Sequence, residues 1–320
     1  MKFIPEKSLF VMTHIKLGDF LVLTPLLRSL QILYPESVVA VPNMLFSLYR
    51  DHKVLSRMIP QSQVLEYEHR HQPAVLNLSF PLIPNLKIPD HHFRMRPDCF
   101  IKPRHAFDCY YEALQDYFPL LTEKIDPKPF LDIHPSEEFF YYWRVKPFFY
   151  FTVHSGSDTP EKNWAAENFE EVIVRLLEKY PLLECLGIQG PVDMPLFTER
   201  PKPSRYRVIE SDLKNISYLL SGSLFHIDND TGIHHLAGAC DVPSITIFGA
   251  TGPGSWASVT DRNFIHWGAP HCPDPCGGGR LEKCENRVCL SSIKVEHLLP
   301  SAAQILSAYW HLDNTLASKV

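Results

Sequence analysis

The chain has no uninterrupted apolar run long enough to cross a bilayer. It has no basic block and no RNA-type aromatic motif, and its formal charge of -5 argues against a nucleic-acid binder. Its start, MKFIPEK, breaks up its apolar residues with charge and proline, so it lacks a signal peptide's apolar core and cleavage site. A cytoplasmic location is expected, with membrane contact confined to a surface patch. No Gly-x-Gly-x-x-Gly follows the first strand-like run, which weighs against a nicotinamide-dependent oxidoreductase. No repeat of solenoid period is present.

What is present is ordinary in composition, 45% hydrophobic and 21% charged over 320 residues, a length that favours two domains. Eight cysteines in a cytoplasmic chain do not read as a general disulfide framework. Cys99, Cys109, Cys185 and Cys240 are scattered and read as packing residues. The other four are clustered.

Residues 226–250 organise the rest. Leu224, Phe225 and Ile227 form a short apolar run of the kind a strand buried on both faces has. Asn229, Asp230, Thr231 and Gly232 then supply turn and N-cap chemistry, and Ile233 to Cys240 suits a helix that Asp241 and Pro243 end. Residues 244–248 read as the next strand, closed by Gly249, Ala250, Thr251 and Gly252. This is a βαβ unit whose helix begins just past a strand's carboxyl end, where unpaired amides attract anions. A phosphate there would meet amides from two loops. From one cap alone, an anion site and simple helix capping are equally good readings.

Earlier in the chain, residues 8–12 and 38–41 are strand-like and flank an apolar stretch, Phe20 to Leu33, with Arg28 and Gln31 facing out. Pro25 suits the first helical position with Thr24 as cap. Gly18 and Asp19 then fall in the strand-to-helix loop. Residues 64–67 and 74–78 are further candidate strands. From about 81 to 128 prolines, histidines, arginines and aromatics predict a long loop with one helix near 106–118. Ser136 caps a helix that ends at Pro147, where the domain boundary is placed. The second domain opens with a buried strand from Phe148 to Val153 and a polar loop. A helix follows at 169–177, with Glu170, Glu171 and Arg175 in solvent, and then strands at 182–188 and 206–208 and a helix at 216–220.

Polar loops recur at strand ends: Gly18 and Asp19; Ser155, Gly156 and Ser157 with Lys162; Asp193; and Asp230, Thr231 and Gly232. A diphosphate leaving group needs cation and amide donors where charge develops, and Lys162 with these amides could supply them without a metal. An acceptor hydroxyl needs a general base from the opposite domain. Asp19 is the only acid in the first loop, although by residue type alone helix capping is the favoured role for it.

Three ordered sets of residues make the chain similar to the family 9 glycosyltransferases, whose members include heptosyltransferases of lipopolysaccharide core assembly. The first is Leu17, Gly18 and Asp19 with Thr24, Pro25 and Arg28. The second is His154, Ser155, Gly156 and Ser157 with Lys162, Asn163, Trp164 and Phe169. The third runs from Asn229 and Asp230 through Thr231, Gly232 and His235 to Pro243, Phe248, Thr251 and Trp256. The resemblance implies an α/β GT-B fold of two facing Rossmann-like domains with a central cleft: residues 1–146 for the acceptor, 147–299 for the nucleotide-sugar, and a helix over 300–320 returning to the first domain. It implies inverting, metal-independent transfer of a heptose or related sugar from an ADP-sugar to a hydroxyl of a glycan or glycolipid such as lipopolysaccharide core, at or near the inner membrane. Carried over by position, Asp19 is the catalytic base and Lys162 meets the donor diphosphate. Ser155, Gly156 and Ser157 face phosphate, and Asp193 sits near ribose. Asp230 lies near the donor sugar and nucleotide, Thr231 and Gly232 give diphosphate-facing amides, and His235 supports. Another nucleotide-sugar, a protein acceptor, or a non-catalytic binding module are the alternatives.

Cys272, Cys276, Cys284 and Cys289 lie in one short glycine-rich segment. Their intervals permit one tetrahedral S4 site for structural zinc or iron, while a reduced thiol cluster or two disulfides are the alternatives. Some relatives that modify bacterial surface proteins hold iron in this region. No cofactor is expected for transfer itself.

Overall fold

The computed structural model describes residues 8–11, 15–77, 91–92, 104–115, 118–273 and 281–313. The chain divides into two compact units, Met1–Asp132 and Ile133–Val320.

In the first unit, in chain order, come β1 (Ser8–Val11), α1 (Leu17–Leu33), β2 (Val38–Val41), α2 (Asn43–Asp51), β3 (Met58–Pro60), α3 (Val64–His71), β4 (Ala74–Asn77), β5 (His91–His92) and α4 (Ala106–Gln115). The strands form one parallel sheet in the order β3-β2-β1-β4-β5, with Leu9 opposite Val38 and Val75. Leu9, Val38, Ala40, Val64 and Val75 build its core on one face. The order reverses between β1 and β4, and that switch point is where ligands sit in such sheets.

Four details of this unit depart from what the sequence predicts. Helix α1 begins at Leu17, so Gly18 and Asp19 lie in its first turn, behind Lys16 at the N-cap position. Pro25 is inside the helix rather than at its start. Proline has no N–H to give to the carbonyl four residues back, and the Thr24 hydroxyl donates to that Leu21 carbonyl instead, at 2.7 Å. Gln31 does not face solvent: it is buried, donates to the carbonyl of Arg57 at 2.8 Å and accepts from the Ser56 amide at 2.9 Å, clamping the entry to β3. Residues 64–67 are helical, not a strand. Val64 and Tyr67 repeat at helical spacing and pack on the core, and Arg70 pairs with Glu66 one turn back at 2.7 Å. Gln72 then ends α3 in the left-handed region, φ 45°. Of the proline-rich stretch expected as loop, residues 81–90 and 93–103 lie outside the described residues, as do 116–117.

The second unit contains α5 (Glu137–Tyr142), β6 (Tyr150–His154), α6 (Ala166–Lys179), β7 (Glu184–Ile188), β8 (Tyr206–Ile209), α7 (Leu213–Ser221), β9 (His226–Asn229), α8 (Gly232–Ala239), β10 (Ser244–Phe248), α9 (Pro253–Trp256), β11 (Asn263–Trp267), α10 (Val288–Ser291) and α11 (Val295–Asp313). Its parallel sheet runs β11-β10-β9-β6-β7-β8, the dinucleotide-fold order, and its switch point falls between β6 and β9. Both strands are buried on every residue, as a sheet covered on two faces requires. Ser136 caps α5, its hydroxyl accepting from the Phe139 amide at 3.2 Å. Phe148 does not open a strand: it is half-exposed and left-handed, φ 61°, and β6 begins at Tyr150.

Helix α6 packs Phe169, Val172, Ile173 and Leu176 into the main core of this unit. Glu170, expected in solvent, is buried because its carboxylate accepts the Phe197 amide at 2.5 Å and faces Arg200 at 3.6 Å. The terminal helix, expected to return to the first domain, packs Leu298, Ala302 and Leu306 into this same core. Each of the two leucines contributes roughly 1.5–3 kcal/mol of transfer free energy.

Candidate functional site

The polar residues gather at the carboxyl edge of the second sheet, at its switch point. Asn229 ends β9, and its side chain holds the loop that follows β6 by both ends. Its carbonyl oxygen accepts from the Trp164 amide at 2.9 Å, and its nitrogen donates to the Ser155 carbonyl at 2.8 Å. Trp164 anchors the loop from below: it is 2% exposed, and its indole donates to the Ile293 carbonyl at 3.0 Å.

This staple sets Lys162, on a single 3-10 turn at Pro160–Lys162, beside Asp230. The ammonium donates to Asp230 Oδ2 at 2.8 Å, and the Thr251 hydroxyl donates to the same oxygen at 2.7 Å. Burial acts to raise the Asp230 pKa. The Lys162 charge and these two hydrogen bonds outweigh it and hold the carboxyl below its ordinary range. Lys162 itself stays partly open, with 26% of its side chain exposed against 8% for Asp230. A charged amine is thus fixed by one end and available at the other.

Thr231 is the N-cap residue of α8 and makes no side-chain cap bond; its hydroxyl lies 3.4 Å from His154 Nδ1 instead. Helix α8 therefore starts with Gly232 and no side-chain acceptor from its cap residue, an arrangement that favours an incoming anion. The other ring nitrogen of His154 donates to Asp193 Oδ2 at 3.1 Å, and the Gly190 amide donates to the same oxygen at 2.6 Å. The His154 bond chiefly, with that amide, holds Asp193 below the usual carboxylate range against the effect of burial. Gly156 touches this pair so closely that a Cβ there would stand 1.9 Å from Asp193 Oδ1. Ser157 folds onto its own loop, donating to the Thr159 carbonyl at 2.6 Å. His235 is buried in α8, and its charge would act on Asp230.

Beneath this edge lies a largely buried polar network absent from the sequence reading. The Ser258 amide donates to His234 Nε2 at 2.8 Å, so in the neutral ring Nδ1 carries the proton and reaches the Thr246 hydroxyl at 2.9 Å. Thr246 in turn donates to Asn263 at 3.1 Å. His226 meets Thr152 at 2.9 Å on one side and Asp228 at 3.3 Å on the other. Burial pushes Asp228 up to about 7 and His226 and His234 down to about 3 and about 4. All three favour their neutral forms. A pattern of one buried acid and two histidines on a strand and its following helix was the only available signal, and it reads equally as core polarity.

In the first unit, Asp19 stands in the first turn of α1, close enough to Tyr110 for its charge to help burial raise that phenol.

Of the clustered cysteines, Cys272, Cys284 and Cys289 line one cavity of about 410 Å³ together with Lys283 and Arg287. Cys276 lies outside the described residues. Among the described residues no group of three His, Cys, Asp or Glu side chains is placed to hold a metal ion. Cys289 is buried under Gly249, as a packing residue is. The described thiols therefore do not fit the S4 site that their spacing permits.

Two Rossmann-like units with a Lys-Asp pair and an open helix start at the sheet edge have the form of a GT-B type glycosyltransferase. The fold matches a family 9 glycosyl transferase from Veillonella parvula with a TM-score of 0.74 at 17% identity, covering 96% of this chain and 99% of that one. It matches the ADP-heptose lipopolysaccharide heptosyltransferase II of Escherichia coli with a TM-score of 0.72 at 14% identity, covering 95% and 99%. In sequence, residues 208–279 match the family model "Glycosyltransferase family 9 (heptosyltransferase)". Lipopolysaccharide heptosyltransferase 1 of Escherichia coli K12 is 31% identical over 100 residues, which are 29% of this chain and only 30% of that relative's length. These likenesses agree with the motifs: the chain resembles the family 9 heptosyltransferases, in sequence over residues 208–279 and in fold over nearly its whole length.

Proposed function

We propose that the chain is an inverting glycosyltransferase that moves a heptose or related sugar from an ADP-sugar to a hydroxyl of a cell-surface glycan such as lipopolysaccharide core. The observation that carries this reading is the Lys162–Asp230 pair at 2.8 Å beside the start of α8. Asp230 orients the ammonium, and the exposed side of Lys162 meets the donor diphosphate. The amides at Thr231 and Gly232, and those of residues 155–157, take the remaining phosphate oxygens. As the bond from the anomeric carbon to ADP breaks, negative charge grows on the departing diphosphate, where fixed donors lower the barrier most. The acceptor oxygen bonds to that carbon from the opposite face and gives its proton to Asp19. The leaving charge is met by Lys162 and amides, so transfer runs without a metal.

Asp193 was carried over as a ribose contact. With one oxygen engaged by both His154 and Gly190, it acts in this reading as a positioning residue for the 155–157 loop. The relatives are named for heptosyl transfer and support an ADP-heptose donor. Among the described residues no helix is long and apolar enough to cross a membrane.

The test is ADP release from ADP-heptose with a lipopolysaccharide-core acceptor, measured for the parent chain and Asp19→Ala. Turnover by the parent, and its loss in the variant with ADP affinity nearly unchanged, is the expected result. Donor binding without turnover in the parent would mark a non-catalytic module. Loss of ADP affinity in Asp19→Ala would remove Asp19 from the role of base.

A further inference from the structure

The first unit carries a second concave feature at the other edge of its sheet. Asp19 follows the carboxyl end of β1, whereas this cavity forms where the chain enters β2 and β3, between the end of α1, the end of α2 and the segment before β3. Its volume is about 720 Å³, and Arg28, Arg50 and Lys53 line it with Ile32, Phe46 and Ser56. Among the described residues, no aspartate or glutamate lines it. Two acids lie outside its wall: Asp51 accepts from Arg50 Nε at 3.1 Å, and Glu36 lines the neighbouring cavity with Arg57.

Three like charges around one hollow repel one another, and they do so in a chain whose net charge is -5. The long side chains are also held in place. Arg28 lies over the Phe130 ring at 5.8 Å and Arg50 over Phe46 at 5.6 Å. Lys53 projects from a left-handed backbone, φ 46°. Guanidinium groups held this way suit phosphate oxygens, which accept paired N–H donors. The hollow is not purely polar, because Ile32 in its wall is 78% exposed. A free phosphate would leave that side chain in water. A lipid surface offers phosphate and an apolar boundary together.

We propose that this cavity seats phosphate head groups of an anionic lipid bilayer and docks the first unit on its surface. The positive hollow supplies local attraction against the negative net charge of the chain.

The experiment is co-sedimentation of the full chain with phosphatidylcholine vesicles, with and without phosphatidylglycerol. Neither donor nor acceptor is added, so the outcome is independent of whether transfer occurs. Binding is expected only with phosphatidylglycerol and should weaken with salt. The variant Arg28→Gln, Arg50→Gln, Lys53→Asn should bind about 100-fold more weakly, at roughly fivefold per cation. Asparagine is chosen for position 53 because it tolerates left-handed backbone. The single change Ile32→Glu, at an exposed position that leaves the fold unaltered, should also abolish binding. Equal binding to both vesicle types, no binding to either, or unchanged binding by both variants would overturn the proposal. So would a thermal shift with inorganic phosphate that the triple variant loses, if it occurs without vesicle binding: the cavity would then serve a soluble phosphate.

Discussion

The two units share a strand order through their switch points, β3-β2-β1-β4 in one and β8-β7-β6-β9 in the other, yet equip the carboxyl edge differently. After β1 the first unit places a carboxylate, Asp19, in the first turn of its helix. After β9 the second unit places Thr231 and Gly232 there, with Lys162 two residues away from the Asn229 staple at Trp164. One edge carries an acid at its helix start, and the other an ion-paired lysine beside a helix start with no side-chain cap. The topology decides where a ligand sits, and the residues in the first helical turn decide its charge.

The sharpest way to break this contrast is to remove the cation. Lys162→Met should lower kcat/KM for ADP release by about 10²–10³-fold, the scale of deleting one donor to a charge that develops in the transition state. Affinity for ADP should fall as well, whereas Asp19→Ala should spare it. Calorimetric titration of both variants with ADP checks the split. If Lys162→Met keeps full ADP affinity, the second unit's edge does not hold the diphosphate through that side chain.

A smaller effect separates the interiors of the units. His226 and His234 are held neutral by burial, down at about 3 and about 4, while burial lifts Asp228 to about 7. Below about 6.5 the unfolded chain takes up protons on both histidines, and the folded chain does not. A depressed histidine thus contributes stability above its unfolded pKa and loses it as pH falls. Asp228 works in the opposite sense: its raised pKa favours the folded state at low pH and is lost as pH rises through 7. Between about pH 4 and 6 the folded state binds about one proton fewer than the unfolded chain, so stability should fall by roughly 1 kcal/mol for each unit that the pH is lowered. In Asp228→Asn the compensating proton is gone and the slope should double. Urea unfolding across that range measures it. Equal slopes in parent and variant would show that Asp228 is ionised in the fold.

Much of this was legible in the sequence, because strand ends followed by small polar residues are a local signal. The pairing of Lys162 with Asp230 was within reach, since both fall in loops at adjacent strand ends. The His154–Asp193 pair joins residues 39 apart, and no local pattern marks it. Gln31 and Glu170 read as solvent-facing by residue type, and each is buried by a backbone amide from a distant segment that needs an acceptor. Residues 64–67 were read as a strand because four residues do not distinguish the two periods. The Glu66–Arg70 pair, one helical turn apart, agrees with the helix. Side-chain type reports a residue's own preference, whereas burial answers to the partner it meets.

The smallest effect concerns how the first unit tolerates a proline in the helix that carries Asp19. The missing N–H of Pro25 leaves the Leu21 carbonyl without its usual donor, and the Thr24 hydroxyl takes that place at 2.7 Å in a buried setting. Thr24→Val keeps the shape and removes the donor, so an acceptor is left unpaired away from water. The expected cost is about 1–2 kcal/mol, seen as a lower urea midpoint. The interpretation has an internal check. Pro25→Ala returns a backbone N–H at that point, so adding Thr24→Val to it should cost only a few tenths of a kcal/mol, a coupling of about 1 kcal/mol between the two sites. Additive losses would mean that the hydroxyl does not serve the proline's gap. The first unit would then hold Asp19 on an α1 stabilised by burial alone, and the contrast with the hydrogen-bonded loops of the second unit would become deeper.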